Sequence, residues 1–196
     1  RVVATANATI ALTAAVAVSK ADNWHVPAWS FPATVFAPLN AGRRVQFTDV
    51  NPKTWIAEDD REFGSEGLII VIPFGGALRE EDWSRPGETI VDAAASLATR
   101  PSRLDAISKS TAVVFSLHAT KTMGGAEGGL VVFGCEERAN LVRSWINFGF
   151  SGSRESQIIG TNGKMSEYDA AVCNARLDGW ATEEAEWRTL RDLSSK

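Results

Sequence analysis

The sequence predicts an α/β domain with a mostly parallel central sheet and helices on both faces. Three observations lead to this class. Short β-branched segments alternate with helix-like segments through roughly the first 100 residues, the order that builds βαβ units. The run GLIIVIP at 67–73 is apolar at consecutive positions, as expected of a strand covered on both faces. A chain of 196 residues with 44% apolar and 22% charged residues is enough to bury a sizeable core.

The first half of the chain predicts strands at 1–4, 24–28 and 44–49. A helix is expected over 8–19, because Asn7 can cap the free N–H groups of the alanine-rich stretch that follows it. A second helix is expected to end at 41–42, since glycine commonly follows a helix C-terminus. The charged residues 57–66 predict a surface helix or loop.

The second half adds strands, helices and polar connections in the same manner. Further strands are predicted at 88–92, 111–115 and 129–133, with polar connections at 77–87 and 99–110. Helices are predicted at 136–147, 165–177 and 182–193, the last beginning at a good N-cap residue. The glycine-rich run at 149–160 has little apolar content, which predicts a loop that its own domain anchors poorly.

Three potential functional groups are expected at one edge of the predicted sheet. Ligands bind beyond the carboxyl ends of parallel strands, where the sequence places the start of the first helix, Asp92, and the segment from Ser116 to Lys121. A helix N-terminus attracts phosphate, and a carboxylate and a lysine amine complete a set that suits pyridoxal phosphate. Taken singly, Lys121 is more simply a solvated loop charge, and Asp92 a turn-capping residue.

Composition argues against several partners. The net charge of −4 gives no electrostatic case for nucleic acid or an anionic membrane surface. The longest apolar run, at 8–18, is too short to span a bilayer. Cys135 and Cys173 match no metal-binding or redox spacing, so reduced thiols and a cytoplasmic location are expected, with no metal.

Seven segments occur in an order that resembles a known family. They are TANATIAL at 5–12, PAWSFPAT at 27–34, AGRRVQFTDV at 41–50, VDAA at 91–94, FSLHATK at 115–121, EGG at 127–129 and GTNGKMSE at 160–167. Together they resemble the DegT/StrS-type sugar aminotransferases, which are pyridoxal phosphate enzymes of fold type I. The resemblance implies the large domain of that fold and pyridoxal phosphate as the cofactor.

The resemblance also implies a reaction. Lys121 corresponds to the lysine that forms a Schiff base with the cofactor, and Asp92 to the partner of its pyridine nitrogen. The implied activity moves an amino group from an amino acid such as glutamate to a keto sugar nucleotide. A relative with histidine at the lysine position performs dehydration instead, so Lys121 favours transamination. Two alternatives stay open: a non-catalytic or truncated relative, or an enzyme of the same fold with another reaction.

Five further residues take cofactor-binding roles through the same resemblance. Ala8, Thr9 and Ser116 correspond to residues that hold the cofactor phosphate. Phe31 corresponds to an aromatic ring stacked on the cofactor. Asn162 corresponds to an asparagine that reaches the phosphate of the neighbouring subunit, which implies a homodimer with shared active sites.

The chain departs from the family pattern at four positions. Ala8 replaces a glycine, Val91 an acidic residue, Ala95 a glutamine or histidine beside the cofactor ring, and Gly163 a tyrosine. Residues 1–180 are expected to form the cofactor-binding domain, without its N-terminal segment. Residues 181–196 are expected to start a connection to a small C-terminal domain, so we expect a fragment of a longer protein.

Other conspicuous residues have a structural interpretation. Trp24, Trp29 and Trp145 are expected in the core or at an interface rather than as ligand platforms. His118 is expected to be hydrogen-bonded in place, and Glu127 to order the Gly-Gly turn that follows it.

Overall fold

A computed structural model describes residues 1–57, 65–73, 76, 79–85, 87–97 and 106–194. In these residues the chain forms seven strands: β1 (Val2–Thr5), β2 (Asn23–Pro27), β3 (Arg44–Thr48), β4 (Gly67–Val71), β5 (Glu88–Asp92), β6 (Thr111–Ser116) and β7 (Gly129–Phe133). The helices are α1 (Ala8–Ala17), α2 (Pro32–Asn40), α3 (Glu80–Trp83), α4 (Glu136–Trp145) and α5 (Glu167–Ser194). The predicted segments at 57–66 and 99–110 lie largely outside the described residues.

The strands form one mixed sheet in the order β1-β7-β6-β5-β4-β2-β3. The five strands from β6 to β3 run parallel to their neighbours, and β7 is antiparallel to both β6 and β1. The predicted α/β class with a mostly parallel sheet is confirmed. Because β7 runs backwards, its first residue, Gly129, lies at the same edge as the carboxyl ends of β1, β5 and β6.

Both faces of the sheet are buried, as the apolar strands predict. Along β4, Ile69 packs into the core beneath α1, α2 and α4, whereas Leu68 and Ile70 pack into a second core on the opposite face. This alternation follows from the two-residue period of a strand. Among the described residues, the helix that packs on the second face is the short α3, through Trp83. This helix lies within the predicted polar connection at 77–87.

The first helix begins where the sequence predicts. Asn7 is the N-cap of α1, and its side-chain oxygen accepts a hydrogen bond from the Ile10 N–H at 2.9 Å. Thr5 Oγ1 donates to the Asn7 carbonyl at 2.9 Å, which further fixes the turn between β1 and the helix. The first turn of α1 is therefore held rigidly at the edge where the strands end.

The C-terminal region differs from the prediction. The helices predicted at 165–177 and 182–193 are one continuous helix, α5, of 28 residues. Gly179 costs a helix only about 1 kcal/mol relative to alanine, and burial of Trp180 against Leu117 and Met123 opposes a break at this point. The expected domain boundary at 180/181 falls inside α5 and stays a prediction.

The glycine-rich run at 149–160 is also more ordered than its composition predicts. An isolated bridge joins Phe150 to Ser156, and a second joins Asn147 to Asn162. Ser156 Oγ lies 2.9 Å from the carbonyl oxygens of both Phe148 and Ile158. Polar and backbone hydrogen bonds hold the segment, which is why apolar content is a poor guide to its order.

Candidate active site

The predicted carboxylate lies at the buried end of β5. Asp92 is only 5% exposed. Its Oδ2 accepts a hydrogen bond from Thr34 Oγ1 at 2.7 Å, and its Oδ1 accepts one from the Ala94 N–H at 3.2 Å. Burial raises the pKa of the Asp92 carboxyl, and the two hydrogen bonds and the charge of Lys121 offset only part of that effect. A protonated group placed beside Asp92 would stabilise its ionised form.

The lysine lies in a tight turn after β6. The Lys121 N–H donates to the His118 carbonyl at 2.8 Å, and the Gly124 N–H donates to the Lys121 carbonyl at 2.8 Å. These bonds fix the backbone on both sides of Lys121, whose half-buried side chain lines the cavity described below. At the end of β6, Ser116 Oγ accepts a hydrogen bond from the His118 N–H at 3.2 Å.

The histidine of this turn is hydrogen-bonded in place, as predicted. His118 Nδ1 lies 2.8 Å from Thr120 Oγ1, and its Nε2 lies 3.4 Å from Glu127 Oε1. Glu127 precedes Gly128 and Gly129, so its contact with His118 ties the two ends of the turn together. Both side chains also line the cavity, which the sequence interpretation did not anticipate.

The start of α1 packs directly against the start of β7. A Cβ added to Gly129 would lie 2.5 Å from the carbonyl carbon of Asn7 and 2.7 Å from the nitrogen of Ala8. Glycine is therefore required for this approach. It brings the first turn of α1, where the N–H groups of Ala8 and Thr9 have no i−4 partner within the helix, beside the lysine turn.

These elements surround one cavity of about 740 Å³, within the usual range for small-molecule sites. The structure brings together six of the seven predicted site residues as its lining: Ala8, Thr9, Phe31, Asp92, Ser116 and Lys121. Asn162 is not among the described residues that line it. Its backbone bridges to Asn147 instead, within the same chain.

Sequence reasoning missed three further residues of the site. Thr34 is fully buried and holds Asp92, and no local pattern marks that contact. Trp29 and Trp55 line the cavity while remaining 62% and 49% exposed. Trp29 therefore lies outside the core, unlike Trp24, which is completely buried as predicted.

The sequence pattern of the DegT/DnrJ/EryC1/StrS aminotransferase family matches residues 1–61 and 88–192. The chain belongs to this family. The matched ranges contain all seven predicted site residues. The mixed sheet and the cavity at its edge fit the fold type I architecture that the family resemblance predicts.

Comparison with similar proteins supports the fold and identifies relatives of this chain. A Bacillus cereus protein, provisionally named a PLP-dependent aminotransferase, superposes with a TM-score of 0.78 and is 28% identical, over 93% of this chain and 54% of its own. Protein Rv3402c of Mycobacterium tuberculosis is 29% identical over 89% of this chain and 47% of its own length. The dTDP-4-amino-4,6-dideoxy-D-glucose transaminase of Shigella dysenteriae is 40% identical over 65 residues, 33% of this chain and 18% of the transaminase. The chain thus spans about half the length of the first two.

No membrane span is evident in the described part of this family member. None of its five helices is both long enough and apolar enough to cross a bilayer.

Proposed function

We propose that this chain carries the cofactor site of a pyridoxal phosphate-dependent aminotransferase that acts on a keto sugar nucleotide. One observation carries the proposal: a lysine, a buried carboxylate, a serine hydroxyl and a helix N-terminus converge on one cavity. These groups match the aldehyde, the ring nitrogen and the phosphate of the cofactor. The family membership and the provisional name of the Bacillus cereus relative support the same cofactor.

The residues divide the binding of the cofactor between them. When bound, pyridoxal phosphate withdraws electrons from the substrate carbon that carries the amino group. Asp92 would accept a hydrogen bond from the protonated ring nitrogen and keep it protonated. The N–H groups of Ala8 and Thr9 and the hydroxyl of Ser116 would bind the phosphate. Phe31, which is 73% exposed at the start of α2, would cover one face of the ring.

Lys121 has two roles in this proposal. Its Nζ would hold the aldehyde carbon through a Schiff base. As a neutral amine, the same Nζ would act as the base that accepts a proton from the substrate carbon. Two hydrogen bonds fix the Lys121 backbone, and its half-buried side chain lines the cavity.

The proposed substrates follow from the relatives. The Shigella relative is named for a dTDP-linked amino sugar, which supports a keto sugar nucleotide as amino acceptor, and an amino acid such as glutamate would be the donor. Cys135 and Cys173 are free thiols, in keeping with the proposed cytoplasmic location.

We also propose that two chains share each site. Asn162 lies outside the cavity of its own chain, and the neighbouring Ile159 is 95% exposed. Across a two-fold axis, Asn162 would reach the phosphate of the partner. Mixing Asn162→Ala with Lys121→Ala protein should restore a minority of fully wild-type sites. Activity that never recovers in subunits shown to have exchanged would contradict the shared site.

The main experiment measures attachment of the cofactor to Lys121. Purified protein is incubated with pyridoxal phosphate, reduced with borohydride, digested and analysed by mass spectrometry. The label is expected on the peptide containing Lys121 and absent in Lys121→Arg, which keeps the charge but offers no neutral amine near physiological pH. Labelling at other lysines alone, or undiminished labelling of the variant, would overturn the proposal.

A second candidate is a relative that binds the cofactor without catalysing transamination. Ala95 favours it, because a methyl group lines the cavity where the family pattern places a hydrogen-bonding side chain. The two candidates differ in a half-reaction. An aminotransferase incubated with glutamate converts the bound cofactor to its amine form and releases 2-oxoglutarate, whereas the non-catalytic relative leaves the bound cofactor unchanged.

A further inference from the structure

Two tryptophans form an exposed corner at the cavity. The ring centroids of Trp29 and Trp55 are 5.3 Å apart, and their planes meet at 67° in an edge-to-face arrangement. Both side chains line the cavity, yet 62% of Trp29 and 49% of Trp55 remain exposed. Large aromatic surfaces left open beside a cavity are typical of ligand sites.

The backbone holds Trp55 in an unusual conformation. Its φ is +61°, a left-handed value that a bulky residue seldom adopts. The Trp55 N–H donates to the Asn51 carbonyl at 2.7 Å, and the Asn51 N–H donates to the Ile56 carbonyl at 3.0 Å. Asn51 Oδ1 accepts a hydrogen bond from the Lys53 N–H at 2.7 Å, and Ile56 is buried in the second core. Strain maintained in this way is concentrated at functional sites.

The corner and the lysine follow strands that are not neighbours in the sheet. Trp29 follows β2, whereas Lys121 follows β6, and β4 and β5 lie between these strands. At about 4.8 Å per strand, the backbones of the strands that precede Trp29 and Lys121 are three spacings, roughly 14 Å, apart. Among the described residues that line the cavity, Lys121 is the only lysine or arginine. The aromatic end therefore suits a flat uncharged ring better than a phosphate.

We propose that Trp29 and Trp55 form a stacking subsite for the nucleobase of the sugar nucleotide. The inference rests on the proposed function, which places the keto carbon of the sugar at Lys121. The base is then the flat group at the far end of the substrate. Stacking on an indole tolerates different bases, so this subsite would set the preference for a nucleotide-linked sugar over a free sugar.

The test uses dTDP as the probe and isothermal titration calorimetry as the readout, without added cofactor. The wild-type protein should bind dTDP at least about 5-fold more tightly than inorganic diphosphate, which has no ring. Trp55→Ala should weaken dTDP binding about 5- to 150-fold, the effect of losing one base–aromatic stack. Trp55→Phe should retain most of the affinity, because it keeps an aromatic face.

Two controls guard against trivial outcomes. Trp187 on α5 is 51% exposed and does not line the cavity, so Trp187→Ala should bind dTDP like the wild type. Trp29→Ala provides a second test if Trp55→Ala does not fold. Equal binding of dTDP and diphosphate, or unchanged dTDP affinity in folded Trp29→Ala or Trp55→Ala, would overturn the subsite. If either tryptophan variant changes the molar mass measured by light scattering and leaves the dTDP affinity unchanged, the pair belongs to a subunit contact. That result would also overturn the subsite.

The two proposals can fail separately. Labelling of Lys121 by pyridoxal phosphate without ring-dependent dTDP binding would leave the cofactor site standing and refute the base subsite. The reverse result is dTDP binding that depends on the base and is lost in Trp55→Ala, together with no attachment of pyridoxal phosphate to Lys121. This result would support the subsite and refute the aminotransferase.

Discussion

The hydrogen bond between Thr34 and Asp92 allows a quantitative test of the site. Thr34→Val removes only the hydroxyl, because valine has nearly the same shape as threonine. The 2.7 Å bond is buried at both ends. A hydrogen bond to a charged group contributes roughly 1.5–3 kcal/mol to stability. For a domain of this size about 2–4 °C accompanies each kcal/mol, so the melting temperature of the cofactor-free protein should fall by about 3–12 °C.

The pH dependence of this loss identifies its cause. Burial raises the pKa of Asp92 in the folded protein, and the Thr34 bond opposes that rise. For a carboxyl whose folded-state pKa is raised, stability falls as pH rises from the unfolded-state pKa to the folded-state pKa. Thr34→Val raises the folded-state pKa further, so the variant loses more stability over this window. The difference between the two proteins should be smallest at acidic pH and reach its full value above both folded-state pKa values.

Differential scanning calorimetry of the cofactor-free proteins over a series of pH values measures the effect. Thr34→Ser keeps the hydroxyl and should recover most of the pH-dependent loss of stability seen in Thr34→Val. In an Asp92→Asn background, Thr34→Val should lose its pH dependence in this window. The reasoning is wrong if valine and serine variants show the same pH profile, or if the loss in Thr34→Val is constant from acidic to neutral pH.

Substitutions at four other positions test separate features. Gly129→Ala places a Cβ 2.5 Å from the Asn7 backbone. It should lower the free energy of unfolding by about 1–3 kcal/mol and weaken cofactor binding. Gly179 has open space around it, so Gly179→Ala should stabilise α5 by about 1 kcal/mol in urea unfolding. Trp55→Gly should be about 1 kcal/mol more stable than Trp55→Ala, because glycine accepts φ > 0; the opposite order would argue against strain at this residue. Asp92→Asn should bind the cofactor more weakly in an absorbance titration. The same substitution should stabilise the cofactor-free protein at neutral pH, because it removes a buried charge. Destabilisation of the cofactor-free protein would show that the hydrogen bonds to Asp92 contribute more than its burial costs.

The residues of the site that the sequence predicts are those that follow strand ends. Asp92 and Lys121 could be found because parallel strands bring their carboxyl ends to one edge, and the start of α1 could be found from its cap. Thr34 could not, because its contact with Asp92 spans 58 positions and depends on how α2 packs against the sheet. Trp55 escaped notice because a left-handed backbone at a tryptophan has no signal in the sequence.

The remaining differences have a similar origin in tertiary contacts. A glycine followed by an N-cap residue predicts a helix break, but the weak local preference at Gly179 gives way to the burial of Trp180. The segment at 149–160 is held by serine and backbone hydrogen bonds that composition does not reveal. Local signals therefore located the elements of this chain better than they located the contacts between them.

The pairing of β1 with β7 also has a kinetic consequence. The Arg1 guanidinium donates to the carbonyl of Gly134 at 2.6 Å, across 133 positions of the chain, and Thr5 is paired with Gly129 in the sheet. Closing so long a loop is entropically unfavourable, and such distant pairings slow folding. Because α1 follows β1 directly, the same closure brings the start of α1 to the lysine turn. In stopped-flow refolding, capture of pyridoxal phosphate should therefore lag behind the recovery of helical circular dichroism.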